Sequence, residues 1–176
     1  MNKLATCKKV INCLPEMKNL ILIRHATAES ENFLKKDFGR TLEAMGRTEA
    51  EKVGTFIKSK GTNPDKIVTS SALRTLETAQ LASVIIGFKP AEIITSLQLY
   101  NAGFQKLIEE IKKTETTVQT LIIVAHNPGI SQTATALAQT GNFQLATSAA
   151  VSLTFKIDNW AEIKPASGTE NWYYFP

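Results

Sequence analysis

Three short apolar runs carry the strongest structural signal in the chain: NLILI at residues 19–23, KIVTS at 66–70 and TLIIVA at 120–125. A strand with one face in water alternates apolar and polar residues. These runs are nearly continuous, as expected of parallel strands covered on both faces. Stretches with helical periodicity separate them. One spans about Glu43 to Lys60, with Ala50, Val53 and Ile57 on one stripe, and a second runs from near Ser71 to about Ile86. A third covers roughly Phe104 to Lys113, with Leu107, Ile108 and Ile111 apolar. A fourth follows Pro128 and Gly129 and carries Ala134, Leu137 and Ala138 inward. Strands alternating with helices predict an α/β fold with a mostly parallel central sheet. AAVSLTFKI, residues 149–157, alternates more regularly and predicts a late, antiparallel edge strand.

Composition narrows the class of protein. With 176 residues, 43% hydrophobic and 20% charged, the chain suits one soluble domain. No apolar segment approaches the roughly 20 residues that span a bilayer, so no membrane partner is expected. The net charge of +4 suits an anionic ligand, but the basic residues are scattered. No Lys/Arg tract of the kind that tracks nucleic acid occurs. Cys7 and Cys13 both lie in the opening segment, with no CxxC pair and no histidine nearby, which argues against a zinc site or a disulfide framework. Lys8 and Lys9 interrupt the apolar core that a signal peptide would need. A cysteine-free body suits a reducing compartment, and a cytoplasmic monomer is the expectation. Met17 directly precedes the first strand, so residues 1–16 read as an N-terminal extension and 17–176 as the domain.

His25 and His126 are the two histidines of the chain, about a hundred positions apart. Each sits just beyond the C-terminal end of a predicted parallel strand, in LILI-RH and LIIVA-HN. Parallel strands end on one edge of the sheet, and ligands of open α/β folds bind at that edge. The stretch KIVTSSALRTLETAQ brings Arg74 to the same edge, in the first turn of the following helix. A helix N-terminus and a guanidinium fork both suit an anion. Taken alone, Arg74 would pair with Glu77 three residues along the helix. With Arg24, His25 and His126 converging, a phosphate clamp explains the set better. A neutral imidazole attacks phosphorus and forms a phosphohistidine that water later hydrolyses. Two arginines and a second histidine can stabilise the charge on the equatorial oxygens. No acidic cluster accompanies them, so neither a metal nor another cofactor is expected. The arginines should also lower the pKa of His25 and keep it neutral at pH 7.

These residues resemble the histidine phosphatase superfamily, whose signature is Arg-His-Gly after the opening strand. Here it reads Arg24-His25-Ala26, with alanine where glycine is usual. DFGRTLEAMG is similar to the family's Arg-x-Leu-Thr-x-x-Gly segment, with Arg40 at the arginine. VTSSALRTLETA is similar to its Ser-x-x-x-Arg-x-x-x-Thr-Ala segment, and VAHNPGI to the segment holding the second histidine. The likeness covers most of the chain from Met17 onward. It implies a three-layer α/β/α domain like that of phosphoglycerate mutase, with His25 as nucleophile and Arg24, Arg74 and His126 as phosphate ligands. Arg40 is a further phosphate or substrate contact. The small size and the AHNP wording look most like the short bacterial phosphohistidine phosphatases of the SixA type.

Mutases and acid phosphatases of the superfamily also use a carboxylate general acid near mid-chain. The matching stretch here, SLQLYNAG, offers Tyr100 and Asn101 but no carboxylate. Either another group such as Glu29 or Glu31 serves, or the leaving group needs little help. A phosphoramidate nitrogen is readily protonated from solvent, so the absence favours phosphohistidine in a signalling protein as substrate. The partner is then a phosphorylated protein, with a small phosphorylated metabolite or a protein phosphoserine as the alternative. The alanine at position 26 lends some support to a catalytically weak phosphate-binding module.

Overall fold

In the computed structural model, which describes residues 17–30 and 36–176, the three apolar runs become the middle of one six-stranded sheet. They form β1 (Met17–Arg24), β2 (Lys66–Ser70) and β4 (Thr120–Ala125). The short β3 (Ile94–Ser96), β5 (Ala150–Lys156) and β6 (Thr169–Tyr174) complete the order β3-β2-β4-β1-β5-β6. The first four strands are mutually parallel; β5 runs antiparallel to β1, and β6, antiparallel to β5, returns to the common direction. The proposed extension, residues 1–16, and Glu31 lie outside the described residues.

The continuity of the apolar runs has a direct cause, since successive side chains of a strand point to opposite faces and both faces are covered. Leu20 and Leu22 of β1, with Leu121 and Ile123 of β4, pack against Leu107 and Ile111 of α3 (Phe104–Lys112) and Ile130, Ala134 and Leu137 of α4 (Gly129–Leu137). Ile21, Ile23, Ile122 and Val124 pack the other way. They meet Val53 and Ile57 of α1 (Ala44–Ser59) and Ala79, Ala82 and Ile86 of α2 (Leu73–Ile86). The domain is therefore a three-layer α/β/α sandwich. Among the described residues, no helix is long and apolar enough to cross a membrane.

The antiparallel direction of AAVSLTFKI matches the expectation, but its edge position does not. β6 pairs along β5 from Ala150 to Thr154 and takes the edge itself. That is why β5 is buried over its first six residues. Behind it, Trp160 is fully buried and its indole N–H donates to the Val118 carbonyl at 2.8 Å.

Two glycines let the loops at the C-terminal sheet edge close up. A Cβ on Gly46 of α1 would sit 1.9 Å from the Thr27 carbonyl oxygen, and one on Gly129 would sit 1.8 Å from that of Ala102. Only glycine lets the backbones approach so closely. The first contact presses α1 against the loop that follows β1. The second presses the start of α4 against the turn that follows Tyr100.

Candidate functional site

β1 and β4 are hydrogen-bonded neighbours with Arg24 opposite Ala125, so the next residues, His25 and His126, emerge side by side. Their ring centroids are 5.2 Å apart. Ser70 ends β2 on the far side of β4, and Arg74 rises from the first turn of α2. The sheet topology alone thus gathers four of the sequence-predicted residues, Arg24, His25, Arg74 and His126, at one edge. Arg40 reaches the same place from the loop before α1, where its charge helps depress the pKa of His25.

The tautomer of His25 follows from its partner. Nδ1 lies 2.8 Å from the Ala26 carbonyl oxygen, which can only accept, so Nδ1 carries the proton. Nε2 is left with a lone pair. The pKa of His25 is lowered to about 4, first by burial and then by the charges of Arg74, Arg24 and Arg40. The predicted neutrality is therefore present, but burial outweighs the arginines as its cause.

His126 is buried, and both of its ring nitrogens are engaged. Arg74 Nη2 lies 3.2 Å from Nδ1, and Ser70 Oγ lies 2.9 Å from Nε2. A guanidinium can only donate, so Nδ1 is the acceptor and Nε2–H donates to Ser70. Burial, then Arg74 and His25, lower the pKa of His126 to about 3. In this state the ring is neutral, and its proton is on the side away from Arg74.

The arginines are only partly satisfied. Arg24 Nη1 donates to the Leu145 carbonyl at 3.0 Å, an acceptor it shares with the side-chain amide of Asn127. Arg74 is 3% exposed and donates to the Asp37 backbone carbonyl at 2.6 Å and to Asp37 Oδ2 at 2.9 Å. Among the described residues, the buried side-chain nitrogens and oxygens with no hydrogen-bond partner are the Nε atoms of these same two arginines. Buried donors left unpaired carry a desolvation penalty that an anion would relieve.

Asp37 is the site residue that the sequence pattern does not single out. It lies in a 3-10 turn, Asp37–Gly39, within the DFGRTLEAMG segment, and nothing in its spacing marks it. Its carboxylate receives Arg74, Arg40 Nη1 at 2.9 Å and the Tyr100 hydroxyl at 2.7 Å. Burial pushes its pKa up, but hydrogen bonds from Tyr100, Arg40 and Arg74 prevail and hold it at about 2. The mid-chain stretch without a carboxylate therefore supplies Tyr100 to one that comes from another loop. Glu29, the other described candidate acid, accepts from both the backbone N–H and the hydroxyl of Thr41, while Arg40 Nε donates to its backbone carbonyl. Glu77 does not pair with Arg74; it accepts from the Leu42 backbone N–H and from Arg47.

Ala26 also finds an explanation. It is fully buried, its methyl packs with Leu42 and Ala50, and its N–H donates to the Thr78 hydroxyl at 3.1 Å. Its φ is not positive, so its backbone does not need glycine. The following residue, Thr27, is held at both its N–H and its hydroxyl by the Glu49 carboxylate.

Comparison with known proteins bears on the family and the fold. Residues 20–117 match the histidine phosphatase superfamily (branch 1). An uncharacterized chloroplastic protein of Arabidopsis thaliana is 28% identical over 165 residues, covering 88% of this chain and 74% of its own length. The fold is similar to that of a candidate phosphohistidine phosphatase SixA from Nakamurella multipartitia, with TM-score 0.81, 22% identity and coverage of 92% of this chain and 98% of that one. It is also similar to the protein histidine phosphatase SixA complexed with tungstate, with TM-score 0.74, 18% identity and coverage of 88% and 95%. The phosphoglycerate mutase-like architecture expected from the motifs is therefore the one observed, and the chain belongs to the histidine phosphatase superfamily.

Proposed function

We propose that this chain is a phosphatase acting through a phospho-His25 intermediate, with phosphohistidine in a protein as its preferred substrate. One observation carries the phosphatase reading. The unprotonated Nε2 of His25 stands beside two arginines whose buried Nε donors lack partners. Nε2 attacks phosphorus, and the bond from phosphorus to the leaving group breaks. Arg24 and Arg74, joined by His126 and Arg40, hold the equatorial oxygens. Water then attacks phospho-His25, releasing inorganic phosphate and restoring the neutral imidazole.

The preference for a P–N bond rests on Asp37. The carboxylate at the site is held ionised by Tyr100, Arg40 and Arg74, with a pKa of about 2, and so has no proton to give at neutral pH. An alkyl phosphate needs a general acid worth about 10²-fold or more at this step. The departing imidazole of phosphohistidine takes its proton from solvent. The SixA name of two fold neighbours points the same way. The test compares kcat/KM for a phosphohistidine protein, free phosphoramidate and a panel of sugar phosphates. Phosphohistidine protein should lead; a large margin in favour of the sugar phosphates sinks the substrate assignment.

A further inference from the structure

The pairing of His126 poses a problem for any anion at this site. Its Nδ1 accepts from Arg74, and its only ring proton is on Nε2, bonded to Ser70. An oxygen of a phosphate held by Arg74 presents lone pairs to Nδ1, and two acceptors facing each other repel. Double protonation of the ring would resolve the conflict but is opposed by its burial and by the neighbouring Arg74. The remaining route is to move the proton within the neutral ring.

Ser70 is suited to allow that. Its hydroxyl is the one partner of His126 that can both donate and accept, and the residue is fully buried. In the observed arrangement Oγ accepts from Nε2–H, with the Ala72 backbone N–H as a second donor at 3.4 Å. The Thr75 hydroxyl uses the Ser70 carbonyl rather than Oγ. Rotating the Ser70 hydroxyl toward Nε2 turns the acceptor into a donor without moving a heavy atom.

We infer that Ser70 is a positioning residue that switches the tautomer of His126. Resting His126 carries its proton on Nε2 and steadies Arg74, and anion-bound His126 carries it on Nδ1 and donates to phosphate while Ser70 donates to Nε2. The ring loses one proton from Nε2 and gains one at Nδ1 by exchange with water, so its charge does not change. The inference rests on the phosphate-site reading above, and it explains how His126 serves as a phosphate ligand while remaining neutral.

The test reads the two tautomers directly. A chain with two histidines gives a simple long-range ¹H–¹⁵N imidazole spectrum, and the His25→Ala variant leaves His126 as the one remaining ring. Without ligand, Nδ1 should resonate as the bare nitrogen and Nε2 as the protonated one. With saturating inorganic phosphate, the assignment in the wild-type protein should reverse. Ser70→Ala should block the reversal and weaken phosphate binding roughly tenfold, the scale of one lost buried hydrogen bond. Ser70→Thr, which keeps the hydroxyl, should restore the reversal. A ring that keeps Nε2–H with phosphate bound, or that takes up a second proton, overturns the switch. So does a full reversal in Ser70→Ala. No response of either ring to phosphate overturns the phosphate site, and the switch with it.

Discussion

His25 and His126 occupy matching positions on neighbouring parallel strands, yet the fold gives them opposite tautomers. A backbone carbonyl accepts from Nδ1–H of His25 and so leaves the Nε2 lone pair free. A guanidinium claims Nδ1 of His126, which forces the proton onto Nε2. Strand register brings two imidazoles together, and the atom that meets Nδ1 decides what each can do. A nucleophile needs an acceptor behind it, and a phosphate ligand needs a way to present a proton.

Replacing each histidine by alanine should break this comparison most strongly. His25→Ala should abolish the acid-labile, base-stable phosphoenzyme and lower kcat/KM by about 10⁴-fold or more, as loss of a nucleophile does. His126→Ala should lose about 10²–10³-fold, as for loss of one transition-state hydrogen bond, while still forming the labelled intermediate. Labelling that survives in His25→Ala assigns the nucleophile elsewhere.

Acid pH should separate the pair from ordinary histidines. Because the pKa of His25 is lowered from 6.5 to about 4, kcat/KM should stay level from pH 7 to about 5 after correction for substrate ionisation. Below about 4 it should fall tenfold per unit. An acid limb at 6.5 contradicts the buried, arginine-flanked environment. Both rings have folded-state values below the unfolded one, so the unfolded chain binds more protons from pH 6.5 down to about 4 for His25 and about 3 for His126. Stability is therefore complete above about 6.5 and is lost as pH drops through that window, which a series of urea titrations would read.

The smallest effect is expected at Ala26, next to His25 in sequence but turned into the core. Ala26→Gly should cost about 1–2 kcal/mol from added chain entropy and one lost buried methyl, measured by urea unfolding. Its turnover should stay within about twofold of the wild type, because the methyl faces Leu42 and Ala50 and not the anion site.

Much of the fold is legible in the chain because burial on both faces writes itself into composition. KIVTS and TLIIVA match β2 and β4 residue for residue, and each of the four helices begins within about two residues of its predicted start. β3 has three residues, two of them exposed, and β6 (TENWYY) is partly exposed throughout, so neither carries an apolar signature. The same division holds in the site. Arg24 ends a buried strand and His25, Arg74 and His126 follow buried strands, so the alternation of strands and helices is enough to place them at one edge. Asp37 and Tyr100 depend on how irregular loops fold over that edge. No periodicity records such folding. Tyr100 stands out in the sequence only as the place where a carboxylate is missing, and Asp37 carries no mark of the three donors that converge on it.

The clasp between Asp37 and Arg74 has a consequence for turnover. On the proposed reading, an anion that reaches Arg74 does not meet a bare cation; it competes with a carboxylate already bonded to the guanidinium at 2.9 Å. Affinity at this position is thus a difference between two anionic partners, and the resident one is always at hand. In the proposed cycle, Asp37 would reclaim the arginine as orthophosphate leaves, which would soften the grip on product. The interactions that strengthen only as charge builds on the transferring phosphoryl group are left intact.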